Sequence, residues 1–252
     1  MQVMPLKGKV AVITGASRGL GKTIALALGG AGAKLALVAR DPQKLTETAA
    51  EAANLGAESS VFLTDVADED QVSILTRQVV DRFEHVDILV NNAGMNIRKP
   101  VADLTLDEWR QVIDTNLTSV FLMCRAFIPH MRGRGYGRIL NLASTMSHVS
   151  LPGRGAYSAS KSGILGLTRA LALELAQEAI NVIAISPGPF ATEMNTVLMN
   201  TPELNQQFMS SVPLNRWGKP EDIGQLALFL CSESANFITG TDILIDGGWT
   251  SR

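Results

Sequence analysis

The sequence predicts an α/β fold: a single doubly wound domain whose seven-stranded parallel sheet carries helices on both faces. Three observations predict it. Seven short apolar runs recur along the 252 residues, and none strictly alternates apolar with polar. Longer amphipathic stretches separate these runs, and a glycine-rich turn follows the first. Strands covered on both faces read as continuous apolar runs, and alternation of strand with helix gives parallel pairing.

In chain order the strands are KVAVIT (9–14), KLALVA (34–39), SVFLT (60–64), VDILVN (86–91), RILNLA (138–143), NVIAIS (181–186) and DILID (242–246). Between them 42–55, 69–84, 107–132, 157–178 and 220–231 have helical patterning. No linker, repeat or low-complexity segment interrupts 1–252, so one domain is preferred over two. The least regular stretch, 187–219, is rich in Pro, Met, Asn and Thr. It follows a strand's carboxyl end, where open α/β sheets bind ligands, and reads as a lid or substrate wall.

Composition narrows the function. The chain is 46% hydrophobic and 18% charged with net charge −2, which supplies a core but no electrostatic footprint for nucleic acid or an acidic membrane. The first residues, MQVMPLKGKV, lack the apolar segment of a signal peptide. Cys124 and Cys231 lie far apart in apolar stretches and read as buried thiols, and His85, His130 and His148 show no ligand spacing. These features predict a cytoplasmic protein without metal.

TGASRGLG (14–21) lies between the first strand and the first helix. Gly15, Gly19 and Gly21 suit a tight turn and close approach of a ligand, with Ser17, Arg18 and Leu20 between them. The free N–H groups of the helix start suit a pyrophosphate. The second strand ends in Ala39 and Arg40, where an acid would bind the ribose 2′-hydroxyl of NAD. A guanidinium stands there instead, and Arg18 offers a second, so NADP(H) is preferred over NAD(H).

TGASRGLG, Asp65-Val66, NNAG (91–94), Asn116 in DTNLTS, Ser144 in NLASTMS, YSASK (157–161), PGPFAT (187–192) and DGG (246–248) together resemble the short-chain dehydrogenase/reductase family along nearly the whole chain. The resemblance implies a Rossmann fold and an oxidoreductase interconverting a ketone and a secondary alcohol. It implies that Asp65 and Val66 border the adenine, and that Asn91, Ala93 and Gly94 shape the cofactor floor. Thr192 and the backbone after Pro187, including Gly188, would hold the nicotinamide carboxamide. Asn116, Ser144, Tyr157 and Lys161 would form the catalytic tetrad, with a water at Asn116 linking Lys161 to solvent. Lys161 would also grip the nicotinamide ribose.

The chemistry needs such residues. Hydride addition to a ketone leaves an alkoxide, which needs a proton. A phenol can supply it, though its ordinary pKa of ~10 is high. Lys161 follows Tyr157 at i+4, so a helix aims both the same way, and an ammonium there should lower the phenol's pKa. Ser144, by resemblance, would hydrogen-bond the substrate oxygen.

Two substrate classes compete. DTNLTSVF (114–121) is similar to reductases of 3-oxoacyl groups on acyl carrier protein. NNAGMNIRKP (91–100), FATEM (190–194) and NRWGKPED (215–222) are closer to gluconate 5-dehydrogenases and related sugar-acid or polyol enzymes. An acidic carrier needs a basic docking face, but Glu174 and Glu178 end the helix that carries YSASK, which leaves Arg132 and Arg134 for that task. Arg98, Lys99 and Arg154 offer cations to a substrate carboxylate, or serve as solvated loop charges. Met146, Met194, Met199 and Met209 suit an apolar wall or simple packing. The balance tilts towards a small polar carbonyl substrate such as a sugar acid. A non-catalytic nucleotide-binding regulator would have little need of an intact tetrad. The family's members pair into dimers or tetramers through the helices at 107–132 and 157–178, and a homotetramer is the expectation. Ile164, Leu165, Leu167, Leu171, Leu173 and Leu175 put apolar groups on several faces of the second.

Overall fold

A computed structural model describes residues 4–251, apart from the side chains of Met194 and Val197. Seven parallel strands form one sheet: β1 Val10–Thr14, β2 Lys34–Ala39, β3 Ser59–Leu63, β4 Ile88–Asn91, β5 Gly137–Leu142, β6 Ile180–Pro187 and β7 Asp242–Ile245. Their spatial order is β3-β2-β1-β4-β5-β6-β7. The order reverses between β1 and β4, which are paired with Ile13 opposite Val90. At such a switch point the two outgoing connections part and leave a crevice at the strands' carboxyl ends.

The period-two alternation of strand side chains divides the core. Ala11, Ile13, Leu35, Leu37, Ile88 and Val90 pack to one side, with α1 (Gly19–Gly30) and, late in the chain, residues of Pro220–Cys231. Val10, Val12, Ala36, Val38, Leu89 and Ile139 pack to the other, with residues of the helix Glu69–Phe83. The helices between are α2 (Pro42–Asn54) and α3 (Glu69–Phe83), capped by the carboxylates of Asp41 and Asp68, which accept from Lys44 N and Gln71 N at 3.1 and 3.0 Å. Edge strands depart from the expectation of two covered faces. In β3 Leu63 is 59% exposed, because the layers of helices cover the centre of the sheet more fully than its margins.

The helix expected over 107–132 is composite. It comprises α4 (Leu106–Ile113), a π-helical turn (Asp114–Thr118), α5 (Ser119–Phe127) and a short 3-10 turn (Ile128–His130). The widened turn carries Asn116 inward to full burial, a register that an unbroken α-helix lacks. Next comes α6 (Gly155–Leu175), which brings YSASK into its first turns. The segment expected to be irregular contains α7 (Thr196–Met199) and α8 (Pro202–Met209). Pro202 at the start of α8 costs no hydrogen bond there, which is how a proline-bearing stretch becomes helical. Last is α9 (Pro220–Cys231). No helix among the described residues is long and apolar enough to cross a membrane.

Candidate active site

The glycine turn and NNAG are one packed unit. Thr14 Oγ1 accepts from Asn92 N and Ala93 N at 2.9 and 3.0 Å, and Asn92 Nδ2 donates to Thr14 O and Gly15 O at 2.9 and 3.3 Å. Gly15 has φ +64°, the left-handed region that favours glycine, and a Cβ there would stand 2.7 Å from Asn92 Nδ2. A Cβ on Gly21 would come within 2.3 Å of Gly15 O. Gly21 thus serves helix–turn packing and does not line the cleft, whereas Gly15, Ser17, Arg18, Gly19 and Leu20 do. The Arg18 side chain makes no cap hydrogen bond to α1, so no side chain of that residue covers the helix start.

The cleft has a volume of about 1050 Å³ and runs along the carboxyl ends of the strands. One end holds Ala39, Arg40, Asp65 and Val66, and the other holds Ser144, Tyr157, Pro187, Gly188 and Thr192. Ala93, Gly94 and Lys161 line it between. Asn91 is elsewhere. Its Nδ2 donates to Asn141 Oδ1 at 2.9 Å and lies 3.4 Å from Cys124 Sγ, buried under the sheet's helices. Its neighbour Asn92, which sequence reasoning did not single out, is the asparagine at the cleft.

Asn116 also stands behind the wall. Its Oδ1 accepts from Met95 N at 2.8 Å, and its Nδ2 donates to Met95 O at 2.9 Å and Ser160 Oγ at 3.0 Å. Both amide hydrogens are thereby engaged. Ser160 Oγ in turn donates to Tyr157 O at 2.7 Å, so the π turn, the segment after NNAG and the start of α6 are tied together. Ser160 is a positioning residue that the sequence reading passed over inside YSASK.

Tyr157 and Lys161 share a helix face, with Lys161 Nζ 5.8 Å from the centre of the phenol ring. The Lys161 ammonium donates to Leu142 O at 2.5 Å, at the end of β5. The expected lowering of the phenol's pKa by this lysine is not what the geometry gives. Burial raises the Tyr157 pKa, and a hydrogen bond with Ser144 and the charge of Arg154 oppose that rise. Burial also pulls the Lys161 ammonium down to about 8. Burial is the leading cause of both shifts, and Lys161 is directed at a carbonyl oxygen. Ser144, in extended conformation beyond β5, accepts from Met146 N at 3.1 Å, which fixes its hydroxyl at the cleft.

The cleft holds several cations. Arg40 pairs with Asp65 at 3.4 Å, and Arg18 with Glu193 at 3.2 Å. Arg98 and Arg154 both line the cleft. The Arg154 pKa is lowered by burial first and by Arg98 second. Among the described residues neither is ion-paired to a carboxylate, while Lys99, outside the cleft, is held by Glu108 at 3.0 Å. Met146 lines the cleft, Met199 and Met209 do not, and the Met194 side chain lies outside the described residues. Phe208 and Trp249 reach the cleft from α8 and from the carboxyl-terminal region, with their rings 5.8 Å apart.

A profile described as "Enoyl-(Acyl carrier protein) reductase" matches residues 15–250. A 3-oxoacyl-(acyl-carrier-protein) reductase of Staphylococcus aureus is 38% identical over 241 residues, covering 95% of this chain and 97% of that protein. The chain belongs to the short-chain dehydrogenase/reductase family. A 2-dehydro-3-deoxy-D-gluconate 5-dehydrogenase of Escherichia coli is 36% identical over 256 residues, covering 100% of this chain and 99% of that one. A solved structure from Agrobacterium tumefaciens, provisionally assigned as a 2-deoxy-D-gluconate 3-dehydrogenase with bound NADP, superposes with TM-score 0.90 at 34% identity over 100% of each chain.

As a member of the short-chain dehydrogenases/reductases the protein is an oxidoreductase acting on CH–OH groups with a nicotinamide cofactor. Its own residues fit such a cofactor. The helix start free of a side-chain cap, the left-handed Gly15 and the strand-end cations of the cleft are what a dinucleotide needs. Phe208 and Trp249 carry no motif that marks them in sequence, because tertiary packing alone brings them to the site.

Proposed function

We propose that this protein is an NADP(H)-preferring oxidoreductase that interconverts a ketone and a secondary alcohol on a small polar substrate bearing a carboxylate, such as a sugar acid. The observation that carries the substrate class is the pair Arg98 and Arg154. Two guanidiniums face one cleft beside Tyr157, without a carboxylate partner among the described residues. Like charges held together at partial burial are costly, and an anionic substrate group relieves that cost.

The bound cofactor supplies the hydride. Tyr157 donates its phenolic proton to the substrate oxygen as the C–H bond forms, and takes it back in the reverse direction. Ser144 donates a hydrogen bond to the same oxygen and stabilises its developing charge. Burial favours the neutral phenol, which is the form able to donate. Arg154 stabilises the phenolate left behind. Lys161, fixed by Leu142 O, would offer the remaining N–H bonds of its ammonium to the ribose of a bound cofactor. Asn116 holds the wall in place through Met95 and Ser160.

Arg18 and Arg40 would hold the 2′-phosphate, Asp65 and Val66 the adenine side, and Gly15, Ser17, Gly19 and Leu20 the pyrophosphate. Ala93 and Gly94 would form the floor, and Pro187, Gly188 and Thr192 would meet the carboxamide. Residues 187–219, with α7 and α8, would act as the lid over the single catalytic domain. Leu173 on α6 is 83% exposed, which favours pairing of that helix with a second copy and a homotetramer. Such an enzyme would work in the cytoplasm.

The carrier-protein reading has support from the S. aureus relative. Its basic docking face is weakened, because Arg132 pairs with Glu178 at 2.8 Å and Arg134 with Asp87 at 3.7 Å. Both arginines also precede β5, at the opposite end of the strands from the cleft. A panel of keto-gluconates, acetoacetyl thioesters and simple ketones with NADPH, and the matching alcohols with NADP, tests the choice. Highest kcat/KM on a keto acid supports the proposal, and highest kcat/KM on the acetoacetyl thioester overturns it.

A further inference from the structure

One carboxylate in the cleft has partners on two other elements. Glu193 Oε2 lies 3.2 Å from Arg18 Nη1 and 3.6 Å from Lys44 Nζ. Arg18 directly precedes α1, Lys44 is in the first turn of α2, and Glu193 directly follows Thr192 on the segment beyond β6. All three line the cleft together with Arg40. A single anion therefore bridges two cations of the cleft, and one of them, Lys44, lies four residues beyond Arg40.

We propose that Lys44 is a third cation of the 2′-phosphate site, and that Glu193 is a tethered competitor that occupies Arg18 and Lys44 until a phosphate displaces it. The inference rests on the reading of Arg18 and Arg40 as the NADP-selective residues, and it goes beyond that reading in two residues. A dianionic phosphate outcompetes one carboxylate for two cations, whereas a ribose hydroxyl does not. Binding of a 2′-phosphate thus releases the short turn Glu193–Asn195 from the cofactor loop. Binding of a cofactor without that phosphate leaves Glu193 where it is.

The arrangement also has a salt signature. Arg18 and Glu193 side chains are 63% and 59% exposed, so their attraction is screened and each contact is weak. Removal of the competitor acts most strongly at low ionic strength.

The test measures dissociation constants of NADPH and NADH by fluorescence titration, for wild type, Glu193→Gln, Lys44→Met, the double variant and Arg40→Met. At about 0.02 M salt Glu193→Gln tightens NADPH about fivefold, the reach of an exposed ion pair, and at about 0.3 M salt the gain falls below about twofold. NADH affinity stays within about twofold throughout. Lys44→Met weakens NADPH about tenfold, as loss of one charge-assisted contact does, and in that background the gain from Glu193→Gln shrinks. A Glu193→Gln variant that binds NADPH more weakly, or shifts both cofactors equally, overturns the proposal. If Arg40→Met changes the NADPH-to-NADH ratio while Lys44→Met and Glu193→Gln do not, this inference alone fails. If Arg40→Met also leaves the ratio unchanged, the NADP reading beneath it fails. Hydrogen exchange gives a readout without turnover. At saturation, adenosine 2′,5′-bisphosphate should speed exchange of amides 193–200 relative to 5′-AMP, and equal exchange overturns the release of that turn.

Discussion

Lys161 Nζ points at the carbonyl oxygen of Leu142 and stands 5.8 Å from the Tyr157 ring centre, so one lysine links the end of β5 to the Tyr157 face of α6. The phenol oxygen has a hydrogen bond with Ser144. Tyr157→Phe removes that oxygen and little else. Turnover should fall by at least ~10²–10⁴-fold, the usual worth of a positioned acid or base, while NADPH binds within about twofold of wild type. Stopped-flow reduction and fluorescence titration measure the two, and retained turnover would remove Tyr157 from its role.

The same lysine sets a pH dependence of stability. Its pKa falls from 10.5 in the unfolded chain to about 8 in the folded one, through burial. Across that window the unfolded chain holds the extra proton, so the charge cost of roughly 3 kcal/mol is fully present below pH ~8 and fades as pH rises to ~10.5. Lys161→Met lacks this term. The stability of the variant relative to wild type should therefore drop by roughly 2–3 kcal/mol between pH ~7 and pH ~10, whatever its offset at neutrality. Subtracting the two urea-unfolding curves cancels Cys124 and Cys231, which both proteins share. A pH-independent difference would contradict the burial argument.

Arg98→Ala and Arg154→Ala should differ in kind. On the proposed reading Arg98 meets a substrate carboxylate, and its loss should then raise KM about tenfold or more with little change in kcat. Arg154 also stabilises the phenolate of Tyr157. Its loss should raise KM and move the basic limb of the kcat/KM profile to higher pH, because an anion that loses its neighbouring cation binds protons more tightly. Steady-state kinetics from pH ~6 to pH ~10 separates the two cases. A matching loss on a carboxylate-free ketone would show that neither arginine reads a carboxylate.

Arg40 is 71% exposed at its side chain, and among the described residues its one ion pair is the 3.4 Å contact with Asp65. Arg40→Met should weaken NADPH by about tenfold and leave NADH within about twofold, as read by titration.

Much of this site was legible before any coordinates. All seven strands lie within two residues of their expected spans, because short apolar runs bounded by turn residues leave few other readings, even at the half-exposed edges. The glycine turn was legible for a related reason, since Gly15 and Gly21 answer local crowding that no other residue tolerates. What escaped the sequence depends on distance along the chain. The π turn around Asn116 is stabilised by Met95, 21 residues earlier, and apolar periodicity over 107–132 reads straight through it. Asn91 and Asn92 are adjacent and identical in type, and only the alternation at the end of β4 decides that Asn91 turns inward. The pKa of Tyr157 depends on its burial and then on Ser144 and Arg154, which helical spacing leaves open.

The crowding around Gly21 has a consequence for how such an enzyme can change. With a Cβ position 2.3 Å from Gly15 O and the same distance from Asn92 Nδ2, the floor under the cofactor has no slack and admits no variation. Arg18 and Arg40, the residues proposed to choose between cofactors, by contrast, sit on the outer rim with solvent on one side. A lineage can therefore exchange one electron carrier for another by editing a few surface side chains, without reopening the foundation on which both carriers rest.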